Sequence, residues 1–256
     1  MTKKKIACVL IAIIATAFIG VFLMSRISLT HPAPAYFTPH GILQNPYHAW
    51  PTTPSGVLRS TPAMGFEWVV GWGWNFISAP KYIASLKVGV NVDGHSFYTM
   101  EDFVKEKVNL YSKLHSKNVI SYDWQYENLV FSFKFFLVKE NSLACLAEIK
   151  NNGAEKTITL HAIERLFSLK PYSVFGLCKP NSLTLSSPAL DLILILSSTE
   201  SSIAQKLAHT ESEIEEWIKY NDLSSMEKIE ALFTAYGMMS FKLELPAAAE
   251  KRWFSS

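Results

Sequence analysis

The stretch "NLVFSFKFFLV", residues 128–138, constrains the fold more than any other part of this chain. Leu129, Phe131, Phe133 and Phe135 recur at every second position, separated by Val130, Ser132 and Lys134. Side chains of an extended backbone alternate between two faces, so this spacing puts four large apolar groups on one side of a sheet. A helix would scatter them around its axis. A face of that size is stable only beneath a second layer.

The same period recurs along most of the sequence. "YIASLKVGVNVDG" alternates through Ile83, Leu86, Val88, Val90 and Val92, with a slip near Ala84, and ends in the turn pair Asp93-Gly94. "SFYTM" follows as the return strand of a hairpin, and "VNLYSKLH" and "NVISYDWQY" continue the pattern. "SLACLAEIK" and "TITLHAIERLFSL" flank "NNGAEK", where Asn152-Gly153 offers the positive-φ residues of a tight hairpin connection. "YSVFGLC", "LDLILILSS" and the later "MSFKLELP" complete the run. The expectation is a mainly β chain, a large antiparallel β-sandwich over residues 62–256 with a few short late helices.

Two capping boxes place those helices. Thr210-Glu211-Ser212-Glu213 precedes an apolar face of Ile214, Trp217 and Ile218. Ser224-Ser225-Met226-Glu227 precedes Ile229, Leu232 and Phe233, with Gly237 as the stop. A shorter helical turn is expected around Ser202 to Ala208.

The first 61 residues are different. Lys3, Lys4 and Lys5 precede an uncharged stretch from Ile6 to Met24, long enough to cross a bilayer as a helix, and only Arg26 follows closely. That asymmetry predicts a cytoplasmic N-terminus and an extracytoplasmic body. Residues 1–25 are read as a signal anchor, with Cys8 an apolar residue of the span; "HPAPA" at residues 31–35 is a late candidate for cleavage, which would give a secreted body instead. Residues 26–61, rich in Pro, Thr, Ser and His, read as a spacer.

Composition removes some functions. At net charge +2 and without arginine clusters there is no electrostatic footprint for nucleic acid. With 49% apolar and 18% charged residues, the chain is also unlike a disordered one. Cys145 and Cys178 form no disulfide framework; one bridge or two free thiols both fit. No cofactor fingerprint is present: the sequence lacks a G-x-S-x-G elbow, a P-loop, a dinucleotide motif and an H-E-x-x-H pair.

The remaining polar candidates have plain structural readings. Asp93, His95, Glu101 and Asp102 crowd one turn but fall on different faces, and no metal site is expected there. His115 and His161 sit inside strand patterns as structural histidines. Glu211, Glu213, Glu215 and Glu216 decorate the solvated, N-terminal side of a helix, where carboxylates are stabilised. No catalytic constellation emerges.

The exception is "GWGWNF", residues 71–76. Trp72, Trp74 and Phe76 share one face of a strand and read as core, with a sugar-stacking platform of Trp72 and Trp74 as the alternative. Gly71 and Gly73 leave the opposite face without side chains, open to close approach by a ligand, with Asn75 as its polar group.

Taken together, "GWGWNF", "LKVGVNVDGHSFYTMEDF", "LACLAEIKNNGAEKTITLHAIE" and "FKLELPAAAEKRWF" resemble the N-terminal β-sandwich, or supersandwich, domain of glucoamylase-like and glucosidase-like glycoside hydrolases with an (α/α)6 catalytic barrel. The resemblance spans residues 65–256. It implies that the segment after "EIKNNG" is a core strand and that the last strand leads toward a barrel. In that family both catalytic carboxylates belong to the barrel, so the resemblance assigns no catalytic residue here. The functions it implies are a non-catalytic accessory domain that binds or positions a carbohydrate or a barrel-containing protein, the N-terminal part of a split hydrolase, or a structural interaction domain. The core reading of "GWGWNF" makes a direct prediction: Trp72→Ala and Trp74→Ala each lower stability by about 3–5 kcal/mol in denaturant melts. Unchanged melts with lost oligosaccharide binding would instead make the pair a platform.

Overall fold

A computed structural model describes residues 56–60, 64–70, 82–111, 119–139, 142–168 and 170–255. Its strands are β1 Gly56–Ser60, β2 Gly65–Val70, β3 Tyr82–Val92, β4 His95–Phe97, β5 Val119–Tyr126, β6 Leu129–Lys139, β7 Ser142–Asn151 and β8 Lys156–Ser168. They continue as β9 Ser173–Lys179, β10 Ser182–Ser187, β11 Leu192–Ser197, β12 Ala204–Ala208, β13 Lys228–Leu232, β14 Thr234–Leu245 and β15 Glu250–Ser255. Two helices interrupt them, α1 Met100–Lys105 and α2 Glu211–Lys219.

The strands form three antiparallel sheets. A seven-stranded sheet runs β1-β2-β3-β8-β14-β12, with β4 paired to β3. One four-stranded sheet runs β15-β7-β6-β5, and the other β11-β10-β9-β13. All three contribute to one apolar core. The two smaller sheets lie against the same face of the large one, and the strand β14 touches both. Gly237 of β14 meets Leu183 of β10, and Phe241, four residues on, stacks at 5.1 Å on Trp253 of β15.

Side-chain size differs between the two halves. The β15-β7-β6-β5 sheet fills its half with rings: Trp124, Phe131 and Phe133 stack in a column, and Phe66 of the large sheet meets Phe135 edge-on at 5.8 Å. Leu129, Phe131, Phe133 and Phe135 are all buried, as the alternation requires. The β11-β10-β9-β13 sheet instead interlocks through glycines. A Cβ on Gly237 would lie 2.1 Å from Leu183 Cδ2, and one on Gly176 would lie 2.6 Å from both Leu207 and Ile229 methyls.

Several local expectations give way to pairing. The segment after Ser224 is not a helix: Lys228–Leu232 pairs with β9, burying Ala231 and half-burying Ile229 while Lys228 and Glu230 face out. Gly237 therefore stops no helix; it is mid-strand in β14, where the absence of a side chain admits Leu183. The turn expected over Ser202 to Ala208 is β12, recruited by the edge of β14. Helices are not confined to the end of the chain, because Thr99 caps α1 in a box with Asp102 and takes "YTM" out of the strand pattern. Asn152-Gly153 does not join a hairpin: β7 and β8 belong to different sheets, and neither residue has a positive φ. Asp93-Gly94 does make the tight β3–β4 turn, with φ of 50° and 85°. In "VNLYSKLH", residues 108–110 form no strand and Tyr111 makes a single bridge to Asp123. β1 lies within the stretch read as spacer. Among the described residues no helix is long and apolar enough to cross a membrane, and Ile6 to Met24 lies outside them.

Close approach at Gly237 makes a paired prediction. Gly237→Ala lowers stability by about 1–3 kcal/mol through overpacking against Leu183. In the Leu183→Ala background the same change costs far less, because the room it needs is already there. Chemical denaturation of the four chains measures that coupling.

Candidate functional site

The sequence-predicted site, Gly71, Gly73 and Asn75 with Trp72 and Trp74, lies outside the described residues. Its flanks are described. Val70 and Tyr82 pair with each other, and Tyr82 pairs on its other side with Ser168. His115 also lies outside the described residues.

The richest described polar cluster lies on the outer face of the large sheet, where α2 docks. Ile214 and Ile218 are buried on Tyr98, Ile163, Ala208, Tyr236 and Met238, as the helix's apolar stripe requires. Gly89 of β3 leaves room for them: a Cβ there would meet Ile218 Cδ1 at 3.0 Å. Polar contacts fix both ends of the helix. Thr210 Oγ1 accepts from Glu213 N–H at 3.3 Å and so caps the first turn. At the other end, Asn91 Nδ2 donates to the Ile218 carbonyl at 3.1 Å. Lys206, almost fully buried, pairs with Asp222 at 2.5 Å and lies 4.5 Å from the centre of the Trp217 ring.

Glu211 departs from the solvated face the sequence predicts. It pairs with Lys87 of β3 and accepts a hydrogen bond from Tyr98 Oη at 3.1 Å. Burial alone would raise its carboxyl, but the Lys87 charge, the two hydrogen bonds and the Arg165 charge hold it below the ordinary range. The Tyr98 hydroxyl is pushed well up, first by burial and then by the Glu211 charge. Glu215, one turn on, is also raised by burial and by the negative charges of Glu211 and Asp102. The arrangement holds an ion pair and a phenol in fixed geometry. It is a clamp that joins α2 to β3 and to the residues leading into α1.

The crowded turn resolves into separate contacts. Asp93 pairs with Lys156 at 2.8 Å, His95 with Glu106 at 3.0 Å, and Asp102 caps the backbone of Thr99 at 2.8 Å. Among the described residues no group of three His, Cys, Asp or Glu side chains could hold a metal ion. Cys145 and Cys178 are free thiols on different sheets. Burial raises both, and the Cys178 thiol reaches about 11.

Two buried titratable groups lie on β8. His161 faces α2's side of the sheet, with Nδ1 2.9 Å from Ser240 Oγ and no partner for Nε2; burial lowers its pKa to about 3. Glu164 faces the core between Leu86 and Gly237, with no hydrogen-bond partner for Oε1, and burial raises its carboxyl strongly. Sequence reasoning missed both Glu164 and the Lys87–Tyr98–Glu211 clamp. Period two on β8 does assign Glu164 to the face of Leu160, Ala162 and Leu166, which is the signal that could have found it.

No family profile and no curated protein matches the sequence. Among solved structures, the chain is similar to a protein assigned as a kojibiose phosphorylase from the human microbiome, at 11% identity and a TM-score of 0.48, over 86% of this chain. It is also similar to a heparinase III gene product with methylated lysines, at 11% identity and a TM-score of 0.33, over 82% of this chain. The chain spans 30% and 35% of the lengths of those two proteins.

The β8 pair predicts an unusual pH dependence. Glu164 keeps its proton in the folded state above its ordinary pKa of 4.5, so its contribution to stability declines as pH rises from there. Neutral His161 does the opposite: its contribution is lost as pH falls below its ordinary 6.5. The slopes oppose one another between those values. Of the two, only Glu164 lowers stability as pH rises, by up to about 1.4 kcal/mol per unit while its carboxyl stays protonated. Glu164→Gln is expected to remove that decline, so that stability rises more steeply with pH between 4.5 and 6.5 in denaturant titrations; an unchanged slope would exclude Glu164 as its source.

Proposed function

We propose that this chain is a non-catalytic, membrane-tethered, extracytoplasmic β-sandwich related to the accessory domain of a glycoside hydrolase, and that it positions a carbohydrate. The observation that carries the reading is how four of the described carboxylates are used. Glu211 is held by Lys87 and Tyr98, Asp222 by Lys206 and Glu106 by His95, while Glu164 is sealed in the core. Glycoside hydrolysis needs two carboxyl groups facing one another across an open substrate cleft. Committed carboxylates support a supporting role over a catalytic one.

The layered antiparallel fold and the sequence resemblance over residues 65–256 support the kinship. The lysines before Ile6 to Met24 support the tether. The glycine face of residues 71–75 is the proposed contact, with Asn75 supplying the hydrogen bonds and the backbone at Gly71 and Gly73 allowing close approach.

Two measurements test this. In intact cells expressing the full chain, external protease is expected to digest the body; a protected body would overturn the topology. On an oligosaccharide array, Asn75→Ala is expected to weaken binding at least about tenfold, the loss of one or two charge-free hydrogen bonds in a buried contact, with melting unchanged. Sugar cleavage by the purified chain alone would overturn the non-catalytic reading.

A further inference from the structure

The outer face of the β11-β10-β9-β13 sheet carries four exposed apolar side chains on β11 and β9 and is uncovered by any described residue. Ile193 and Ile195 are 65% and 62% exposed, and Leu177 and Phe175 are 44% and 37% exposed. Contiguous apolar patches of this kind are uncommon on monomeric surfaces and mark places of association. The register of the four strands gives this face two central rows, flanked by Ser197, Ser182 and Lys179 on one side and by Ser173 and Leu232 on the other. One row reads Ile195, Thr184, Leu177, Lys228, and the next reads Ile193, Ser186, Phe175, Glu230.

The two rows complement each other chemically, position by position. A two-fold axis crossing the strands midway between them, with two sheets face to face, brings each residue of one row over its counterpart in the other row of the second copy. Ile195 then meets Ile193, Leu177 meets Phe175, and the hydroxyls of Thr184 and Ser186 meet each other. Lys228 meets Glu230 twice, once on each side of the axis. Within these two rows both charges lie on β13, the sheet's edge, and so form a polar rim; the further charge of the face, Lys179 of β9, lies one row beyond them. Face-to-face sheets pack about 10 Å apart, within reach of a lysine and a glutamate extended toward one another. An axis along the strands would instead set Lys228 and Glu230 against the isoleucines of β11, burying unpaired charge.

We propose that this face is an isologous dimer interface between two copies of this chain. The proposal goes beyond the glycan reading and is independent of it, because it uses no residue of the 71–76 stretch. Isologous contacts require self-complementarity, and here the sequence supplies it at four consecutive strands.

The test exploits the symmetry. The full 256-residue chain, kept in nonionic micelles because of Ile6 to Met24, is expected to sediment with a protein mass of twice 28.8 kDa. Ile193→Glu combined with Ile195→Glu is expected to leave monomers. Lys228→Glu and Glu230→Lys each place like charges opposite one another and should weaken association at least about tenfold. The double variant Lys228→Glu/Glu230→Lys restores opposite charges on both sides of the axis and should return the dissociation constant to within about threefold of the original. Circular dichroism of each variant checks that it folds. A monomeric parent chain would overturn the proposal and leave the face to a different occupant. So would dimers that survive the isoleucine changes, or a double charge swap no better than the single ones.

Discussion

The ladder formed by β3, β8 and β14 is the constraint on which the rest of this structure depends. These strands run 11, 13 and 12 residues, and β8 is hydrogen-bonded along nearly its whole length on both sides. Strands this long exceed what one ordinary sheet can cover. The chain meets the need with two smaller sheets side by side, one filled by aromatic rings and one drawn close by glycines. Where the two meet, Ser198 bridges Ser255, and hydroxyls take up the neighbouring carbonyls: Ser198 Oγ donates to Phe254 O at 3.1 Å and Ser255 Oγ to Ser197 O at 2.7 Å. Backbone groups at that seam would otherwise be costly to leave unpaired.

The other face of the ladder is closed differently. Among the described residues, α2 and the Tyr98 region cover it, and their apolar contact is a small satellite core of seven buried residues. A nine-residue helix has little stability of its own. Its position therefore rests on side-chain bolts: Lys87 and Tyr98 to Glu211 at the start, Asn91 at the end, and Lys206 to Asp222 beneath Trp217. Burying Lys206 is tolerable because its charge has both a carboxylate and a ring to face; Asp222 falls to about 2 mainly through the hydrogen bond from Lys206.

What was legible in the sequence was what period alone decides. Alternation in β6 gave the correct buried set, Asp93-Gly94 gave a real turn, and Thr210 gave the true start of α2. What was not legible depends on partners distant in sequence. Ile229, Leu232 and Phe233 fit a helical stripe after a capping box, but ladder bonds to β9 outweigh a weak local preference. Asn152-Gly153 carries the composition of a hairpin turn, yet the chain uses it to pass from one sheet to another, and no local signal separates the two uses. Helix geometry on its own assigns Glu211 to solvent, and the structure does not keep it there. Only the register that brings Lys87 beneath it changes that, and Lys87 is 124 residues away.

The two smaller sheets occupy equivalent places in this fold, and the ion pairs on their outer faces differ. On the β15-β7-β6-β5 sheet, Lys134 and Arg252 both pair with Glu148, so neighbouring strands are tied by ions. That pattern keeps an exposed sheet face soluble and discourages stacking. On the β11-β10-β9-β13 sheet the outward positions of β11 and β9 hold Ile193, Ile195, Phe175 and Leu177, hydroxyl side chains lie on β10 between them, and the charges are Lys228 and Glu230 of β13 and Lys179 at the end of β9. Core packing cannot account for the difference, since those side chains point away from the core, and their inward neighbours Leu194, Leu185 and Val174 already contribute to it. Strand propensity favours isoleucine, but it favours threonine and tyrosine as well, and both are compatible with water. An apolar choice repeated on the two strands that flank β10, with a lysine and a glutamate set two residues apart at one edge, is therefore a property of the surface and not a by-product of folding.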